Sequence, residues 1–376
     1  MKDNYTNILE ELGISKEDIQ KRLGEIRDEY FYGPDKAYFE VGDDMGYIMD
    51  TGNYDARTEG MSYGMMICVQ LNMKEEFDRI WKWSITNMYM SEGFNEGYFA
   101  WSVKPDLSMK AMGPAPDGEE YFAMALMFAS HRWGDGEGVF EYSKYAKDIL
   151  SAMIHKGDGK RVGEPMFNNE NHQILFVPGV DFTDPSYHLP HFYDLFAEWA
   201  YEEDKPFFKE AAKVSREYLV KACHPVTGFS AEYAEFDGSP LYRKLPWRDG
   251  GYENFYSDAY RTAANIALDK EWFNSDLGQF GMAEKIQKTL MPEMEDNLSF
   301  HTYSIDGTVV DEAVLHPIAI LATVAETALV TGLTEDARKW VTKFYNTPLR
   351  KGERRYYDNC LYFFAYLALS GNYRIY

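Results

Sequence analysis

The chain has 376 residues, 45% of them hydrophobic, and a formal charge of −23 from 61 acidic and 38 basic side chains. That is enough apolar material for a large buried core, while a field of this sign repels polyanions, so neither nucleic acid nor an anionic membrane surface is an expected partner. Aromatic residues make up 16%, with 29 Tyr, 24 Phe and 8 Trp; they could stack on the C–H faces of a neutral carbohydrate, although composition alone favours a large aromatic core.

The first residues, MKDNYTNILEELGISKED, are polar and acidic and lack an apolar signal core. Residues 15–33 carry the first helical pattern. Five pairs of patterns follow: 59–72 with 74–90, 118–134 with 140–157, 189–203 with 205–223, 254–269 with 281–294, and 312–332 with 334–346. The last pattern, 353–371, has no successor and pairs with 15–33, which has no predecessor. The first member of each pair is apolar or small over most of its surface, as befits a helix buried on several sides. The second shows Lys and Glu on one face, as befits an outer helix. Six such alternations with the ends meeting predict an all-α fold, an (α/α)6 toroid spanning 1–376 as a single domain. An ordinary helical bundle or solenoid is the alternative.

Strand-like segments such as 97–103 and 173–180 connect an outer helix to the next inner one. In a toroid these connections gather at one end and build a cleft, where binding residues concentrate. Cys68, Cys223 and Cys360 show no CxxC spacing and read as buried free thiols of a reducing compartment. No stretch reaches the ~18 uncharged apolar residues of a membrane span. The nearest, HPIAILATVAETALVTGL, contains Glu326. A soluble, cytoplasmic protein is expected.

The inner-helix starts carry the candidate chemistry. Glu59 opens the first, Asp117 the second, Tyr187 and His188 precede the third, Asp258 lies in the fourth and His316 near the start of the fifth. Parallel inner helices would bring these positions to one end. Each has a purely structural explanation. Asp117 with Glu120 spells a capping box, Glu59 could complement the helix dipole, and Asp258 could pair with Arg261 one turn later. Three acids at matching positions in three units favour a site. Two carboxyl groups in an aromatic cleft suggest glycoside hydrolysis, one protonated to assist the leaving oxygen and one ionised to activate water or attack the sugar. Glu59 would then need burial or neighbouring negative charge to raise its pKa against the dipole. Trp101 is a candidate sugar platform, and Tyr356 and Tyr357 could line the cleft from the sixth inner helix. His188 and His191 form H-x-x-H, but no third ligand follows at helical spacing, so no metal is expected. Nothing calls for a cofactor.

The motifs RTEGMSYGMM, GPAPDGEEYFAMAL, DPSYHLPHFY, FYSDAYR and RRYYDNCLYFFAYLALSGN resemble glycoside hydrolase family 8. Within it they resemble the branch of reducing-end xylose-releasing exo-oligoxylanases, from about Glu40 to Tyr376. The resemblance implies an (α/α)6 barrel and an inverting mechanism. Glu59 would be the general acid, Asp258 the general base, Asp117 the acid that positions and distorts the sugar, and Tyr187 a holder of the attacking water. Trp101 would stack on a xylose, Arg57 would line the cleft beside the acid, and Arg261 and Tyr357 join the substrate-binding set. Leu315-His316-Pro317 matches a segment that walls off the cleft, leaving room for one xylose whose reducing-end hydroxyl His316 would bind. One departure is instructive. The broad signature A-[ST]-D-[AG]-D reads Ala115-Pro116-Asp117-Gly118-Glu119 here, which sets the chain apart from cellulases and chitosanases of the family.

The expected reaction is therefore release of xylose from the reducing end of β-1,4-xylooligosaccharides, the expected partner that oligosaccharide. An endo-β-1,4-xylanase is the nearest alternative. A toroid-fold polysaccharide lyase is disfavoured by the negative charge, since a lyase must neutralise a uronic acid. A non-catalytic sugar-binding protein would leave three converging acids without purpose.

Overall fold

A computed structural model describes residues 4–311 and 314–376. The short α1 (Ile8–Glu11) precedes α2 (Lys16–Tyr32), and a hairpin of β1 (Tyr38–Val41) and β2 (Met45–Ile48) follows. β3 (Ala56–Arg57) runs straight into α3 (Thr58–Leu71), which turns back as α4 (Lys74–Asn87). β4 (Ser102–Val103) and β5 (Lys110–Ala111) lead to α5 (Pro116–Trp133) and α6 (Tyr142–His155), then α7 (Pro190–Trp199) and α8 (Lys205–Ala222). β6 (Asn254–Phe255) leads to α9 (Arg261–Trp272), α10 (Met282–Thr289) and α11 (Met291–Glu295). β7 (Thr302–Ser304) and β8 (Val309–Asp311) precede α12 (Pro317–Glu326), α13 (Ala328–Thr331), α14 (Glu335–Asn346) and α15 (Arg355–Leu369).

The inner helices are α3, α5, α7, α9, α12 and α15. Each packs on the next, and α15 returns to α3, so the ring closes. The outer helices α4, α6, α8, α10 and α14 back onto it, and α2 closes the set by packing on α15. Burial explains the division. Every residue of α15 from Tyr356 to Leu369 is buried. In α14 only Ala337, Trp340, Val341 and Phe344 are, a single stripe at helical spacing. The toroid is thus the arrangement that covers six helices buried over most of their surface. Among the described residues no helix is long and apolar enough to cross a membrane.

Several boundaries differ from the sequence expectation. The pattern at 254–269 contains a strand and a 3-10 turn (Ser257–Tyr260) before the helix begins at Arg261. Ser257 has φ +46°, in the left-handed region that a side chain rarely adopts, so a helix cannot pass through it. The pattern at 312–332 starts at Pro317 and divides after Glu326; Glu312 and Ala313 lie outside the described residues. Proline sets the first turn of α5, α7 and α12 because its missing N–H costs nothing there. The strand-like segment 97–103 yields only β4 and a bridge at Phe99, and 173–180 only a bridge at Ile174.

Two small antiparallel sheets, β3-β4-β5 and β6-β7-β8, stand at the N-terminal end of the inner ring. The first delivers the chain to Glu59 and the second to Asp258.

Candidate active site

Arg261, at the start of α9 and 4% exposed, joins the acids. Its Nη1 donates to Glu59 Oε2 at 3.1 Å, Asp117 Oδ2 at 2.8 Å and the Tyr63 hydroxyl at 2.9 Å. Its Nη2 lies 3.2 Å from Asp258 Oδ1. One buried guanidinium therefore touches carboxylates from α3, α5 and the turn before α9. The pairing of Asp258 with Arg261 and the meeting of three acids are both real, and they are parts of one arrangement.

The capping-box reading of Asp117 is not what the structure contains. Ala115 is the N-cap and no side chain caps the helix. Asp117 Oδ1 accepts the N–H of Gly118 at 2.9 Å. Glu120 is fully buried, within reach of the Tyr193 hydroxyl, which also lies 3.1 Å from the Tyr187 carbonyl. Glu120 thus helps to fix the backbone that carries Tyr187.

Glycines follow both N-terminal acids for a steric reason. A Cβ on Gly60 would lie 2.5 Å from the Tyr356 hydroxyl oxygen, and one on Gly118 would lie 2.4 Å from Cβ of Thr58. Without them Tyr356 could not donate to Glu59 Oε1 at 2.7 Å, nor could α3 and α5 approach so closely.

Burial raises the Glu59 carboxyl to about 7, helped by the negative charges of Asp117 and Asp258 and opposed by Arg261 and the Tyr356 hydrogen bond. The carboxyl of Asp117 is also raised by burial, against the pull of Arg261. A first-turn acid thereby keeps a proton near neutrality despite the helix dipole.

Glu59, Asp258 and Arg57 line two adjoining chambers. The larger, about 540 Å³, is walled by Trp101, Asp117, Phe176, Tyr187, Tyr233 and Trp247. The smaller, about 240 Å³, is walled by Asp50, Ser257, Leu315, His316, Tyr356 and Tyr357. The two carboxylates stand where the chambers meet. The site residues expected from sequence line one chamber or the other except His188, which is buried away from both, and Arg261, which is buried and holds the acids together.

The supporting contacts are specific. Arg57 Nε is 3.1 Å from Asp55 Oδ1 and 3.2 Å from Asp50 Oδ2, and its guanidinium lies 5.2 Å from the Trp101 ring centre. Trp101 has its carbonyl bonded to Thr58 N–H at 2.9 Å and its N–H to the Gly113 carbonyl at 2.9 Å. The Tyr187 ring lies 5.3 Å from the Arg261 guanidinium. Tyr357 donates to the Ser257 carbonyl at 3.1 Å, steadying the left-handed residue beside Asp258.

Sequence reasoning passed over several partners. Tyr63 was legible, since it falls one turn after Glu59 in the same motif. Glu232 was not. It ion-pairs with Arg248 at 2.9 Å, is raised to about 7 by burial, and feels the charge of Asp258 although it lies in a loop without any motif. Asp184, fully buried, accepts the N–H of Ser186 at 2.7 Å, and burial raises it well above the usual carboxylate range.

The H-x-x-H pair belongs to the core. His188 Nδ1 lies 2.9 Å from Ser215 Oγ and Nε2 3.0 Å from Thr183 Oγ1, and burial lowers its pKa to about 3. Among the described residues no cluster of three or more His, Cys, Asp or Glu could hold a metal ion.

Known proteins of this geometry are close at hand. The profile described as glycosyl hydrolases family 8 matches residues 41–369. The reducing end xylose-releasing exo-oligoxylanase of Halalkalibacterium halodurans is 52% identical over 374 residues, covering 99% of this chain and 94% of that protein. The Bifidobacterium adolescentis protein of the same description is 49% identical over 368 residues, covering 96% and 94%. The solved structure of Rex8A from Paenibacillus barcinonensis complexed with xylose superposes with a TM-score of 0.95 at 50% identity, covering 99% of this chain and 97% of that one. An (α/α)6 ring with its acids gathered at one end, matched over nearly its whole length by these relatives, places this chain in glycosyl hydrolases family 8.

Proposed function

We propose that this protein is a reducing-end xylose-releasing exo-oligoxylanase acting on β-1,4-xylooligosaccharides with inversion. The observation that carries the reading is the pair of unequal chambers meeting at Glu59 and Asp258, the smaller one bordered by Leu315 and His316. A chain with several xylose units in the large chamber and one in the small chamber presents its last glycosidic bond to the two carboxyls.

Glu59, protonated up to about pH 7, donates its proton to the glycosidic oxygen as the bond breaks. Asp258 takes a proton from the water that attacks the opposite face of the sugar. One guanidinium contacts both acids, so the gap between them is limited to that group and its two contacts. Asp117 and Tyr187 border the large chamber beside the acid and hold the sugar and the attacking water. Trp101, stacked against Arg57, offers a flat face to a xylose ring. Tyr357 and His316 receive the leaving xylose.

An endo-acting enzyme needs a groove open on both sides of the cleaved bond. The wall at Leu315 and His316 argues against it, and so do the descriptions of the relatives. Xylohexaose labelled at its reducing end tests the reading. Label is expected in free xylose from the first turnovers; label appearing first in xylobiose or longer fragments would overturn it. Following the anomers by NMR in the same digest gives the stereochemistry at the new reducing end of the shortened oligosaccharide, and a new end first formed as the β anomer would exclude inversion.

A further inference from the structure

His316 is the N-cap residue of α12 and lies against the small chamber. Its Nδ1 is 3.1 Å from Oδ2 of Asp358, a fully buried residue in the first turn of α15. The same carboxylate accepts the Ala319 N–H through Oδ1 at 2.7 Å and an N–H of Arg350 through Oδ2. Arg350 also donates to the carbonyl of Leu315. Arg350 is itself clamped, its N–H bonded to Asn359 Oδ1 at 2.8 Å and its carbonyl to Asn359 Nδ2 at 2.9 Å. The Tyr357 ring meets the imidazole edge to face, with centres 5.0 Å apart.

Both members of the wall therefore answer to one buried carboxylate and one guanidinium. An ionised carboxylate offers only acceptors. The nitrogen facing it must carry a proton, and in a neutral imidazole the other nitrogen is then a bare acceptor.

We propose that Asp358 and Arg350 are the positioning residues of this wall. They hold His316 as its Nδ1–H tautomer, which makes Nε2 an acceptor for a hydroxyl of the sugar leaving from the small chamber. The inference rests on the reading that this chamber takes a single leaving xylose. It deepens that reading by giving the direction of the hydrogen bond. A sugar that presents a hydroxyl is accepted, and one whose oxygen is methylated leaves Nε2 without a partner.

The experiment has two arms. In wild-type protein labelled with 15N-histidine, with His316 assigned by comparison with His316→Gln, Nε2 is expected to show a pyridine-type shift and Nδ1 a pyrrole-type shift. A pyrrole-type Nε2 overturns the proposal. In the second arm, Asp358→Asn is expected to raise KM for xylotriose roughly tenfold, the order expected for a buried partner lost, with a smaller change in kcat. Methyl β-xylotrioside, which has no anomeric hydroxyl, is expected to lose little in the same variant. An unchanged KM for xylotriose, or equal losses on both substrates, overturns the proposal. If Asp358→Asn does not fold, the wild-type tautomer and the KM of Arg350→Lys decide. Should wild-type protein release no xylose from the reducing end, the assigned reaction fails, and the tautomer is still read directly.

Discussion

Glu59 is a first-turn glutamate that holds its proton to about pH 7. Burial sets the direction of that shift; Arg261 opposes it, and Asp117 and Asp258 reinforce it, each less than Arg261 opposes. The general acid must be protonated to act, so kcat/KM is expected to fall as pH rises through about 7. A pH–rate profile on xylotriose checks this, and an alkaline limb near pH 5 would remove Glu59 from the role. Glu59→Gln is expected to cut turnover by about 10²–10⁴. The same shift affects stability with a definite sign. A carboxyl raised in the folded state binds more protons there than when unfolded. Its contribution is complete below the usual value of 4.5 and lost as pH rises through about 7. The melting temperature of Glu59→Gln relative to wild type should therefore climb between pH 5 and pH 8.

At the scale of elements, two glycines set how closely the inner helices meet, Gly60 of α3 against Tyr356 of α15 and Gly118 of α5 against Thr58 of α3. Gly118→Ala would bring a Cβ to 2.4 Å from Thr58, the residue immediately before Glu59. Neither helix can yield without moving a catalytic acid. Overpacking of this kind costs about 1–3 kcal/mol, so both a lower melting temperature and a kcat loss exceeding the change in KM are expected. Wild-type values for both would show that the contact is slack. The motif E-G followed by an aromatic partner was visible in the sequence, whereas the reason for the glycine was not. Tyr356 is 297 residues away from Glu59 in the chain. The helix expected from 254 begins only at Arg261 for a related reason. Its apolar pattern continues through Ser257, whereas the left-handed turn there, whose carbonyl accepts a hydrogen bond from the remote Tyr357, sets Asp258 outside the helix.

At the scale of the molecule, the ring is tied shut at the end away from the acids by the chain terminus. Gln70 of α3 exchanges hydrogen bonds with Arg374, at 2.9 Å to its carbonyl and 2.8 Å from its N–H. Trp272 of α9 donates to the Tyr373 carbonyl at 3.0 Å, and the Tyr5 hydroxyl accepts from Ile375 N–H at 2.9 Å. With first and last segments bound to the same ring, we expect residues 1–376 to unfold as one domain. Calorimetry and far-ultraviolet circular dichroism should give coincident transitions. Deleting residues 373–376 should shift the whole transition downward; an early separate step would mean that the ring is divisible.

The chain by itself determined the alternation of helices apolar or small over most of their surface with one-faced helices, because burial on several sides or on one side dictates composition locally. It also determined which inner-helix starts carry acids, and so the candidates Glu59, Asp117 and Asp258. Tertiary structure alone decided that Arg261 binds all three, that Glu232 and Asp184 belong to their electrostatic surroundings, and that His188 is a core residue. Those are statements about distances between remote segments and about the water excluded from between them. No local pattern encodes such distances, since they arise only when the ring closes.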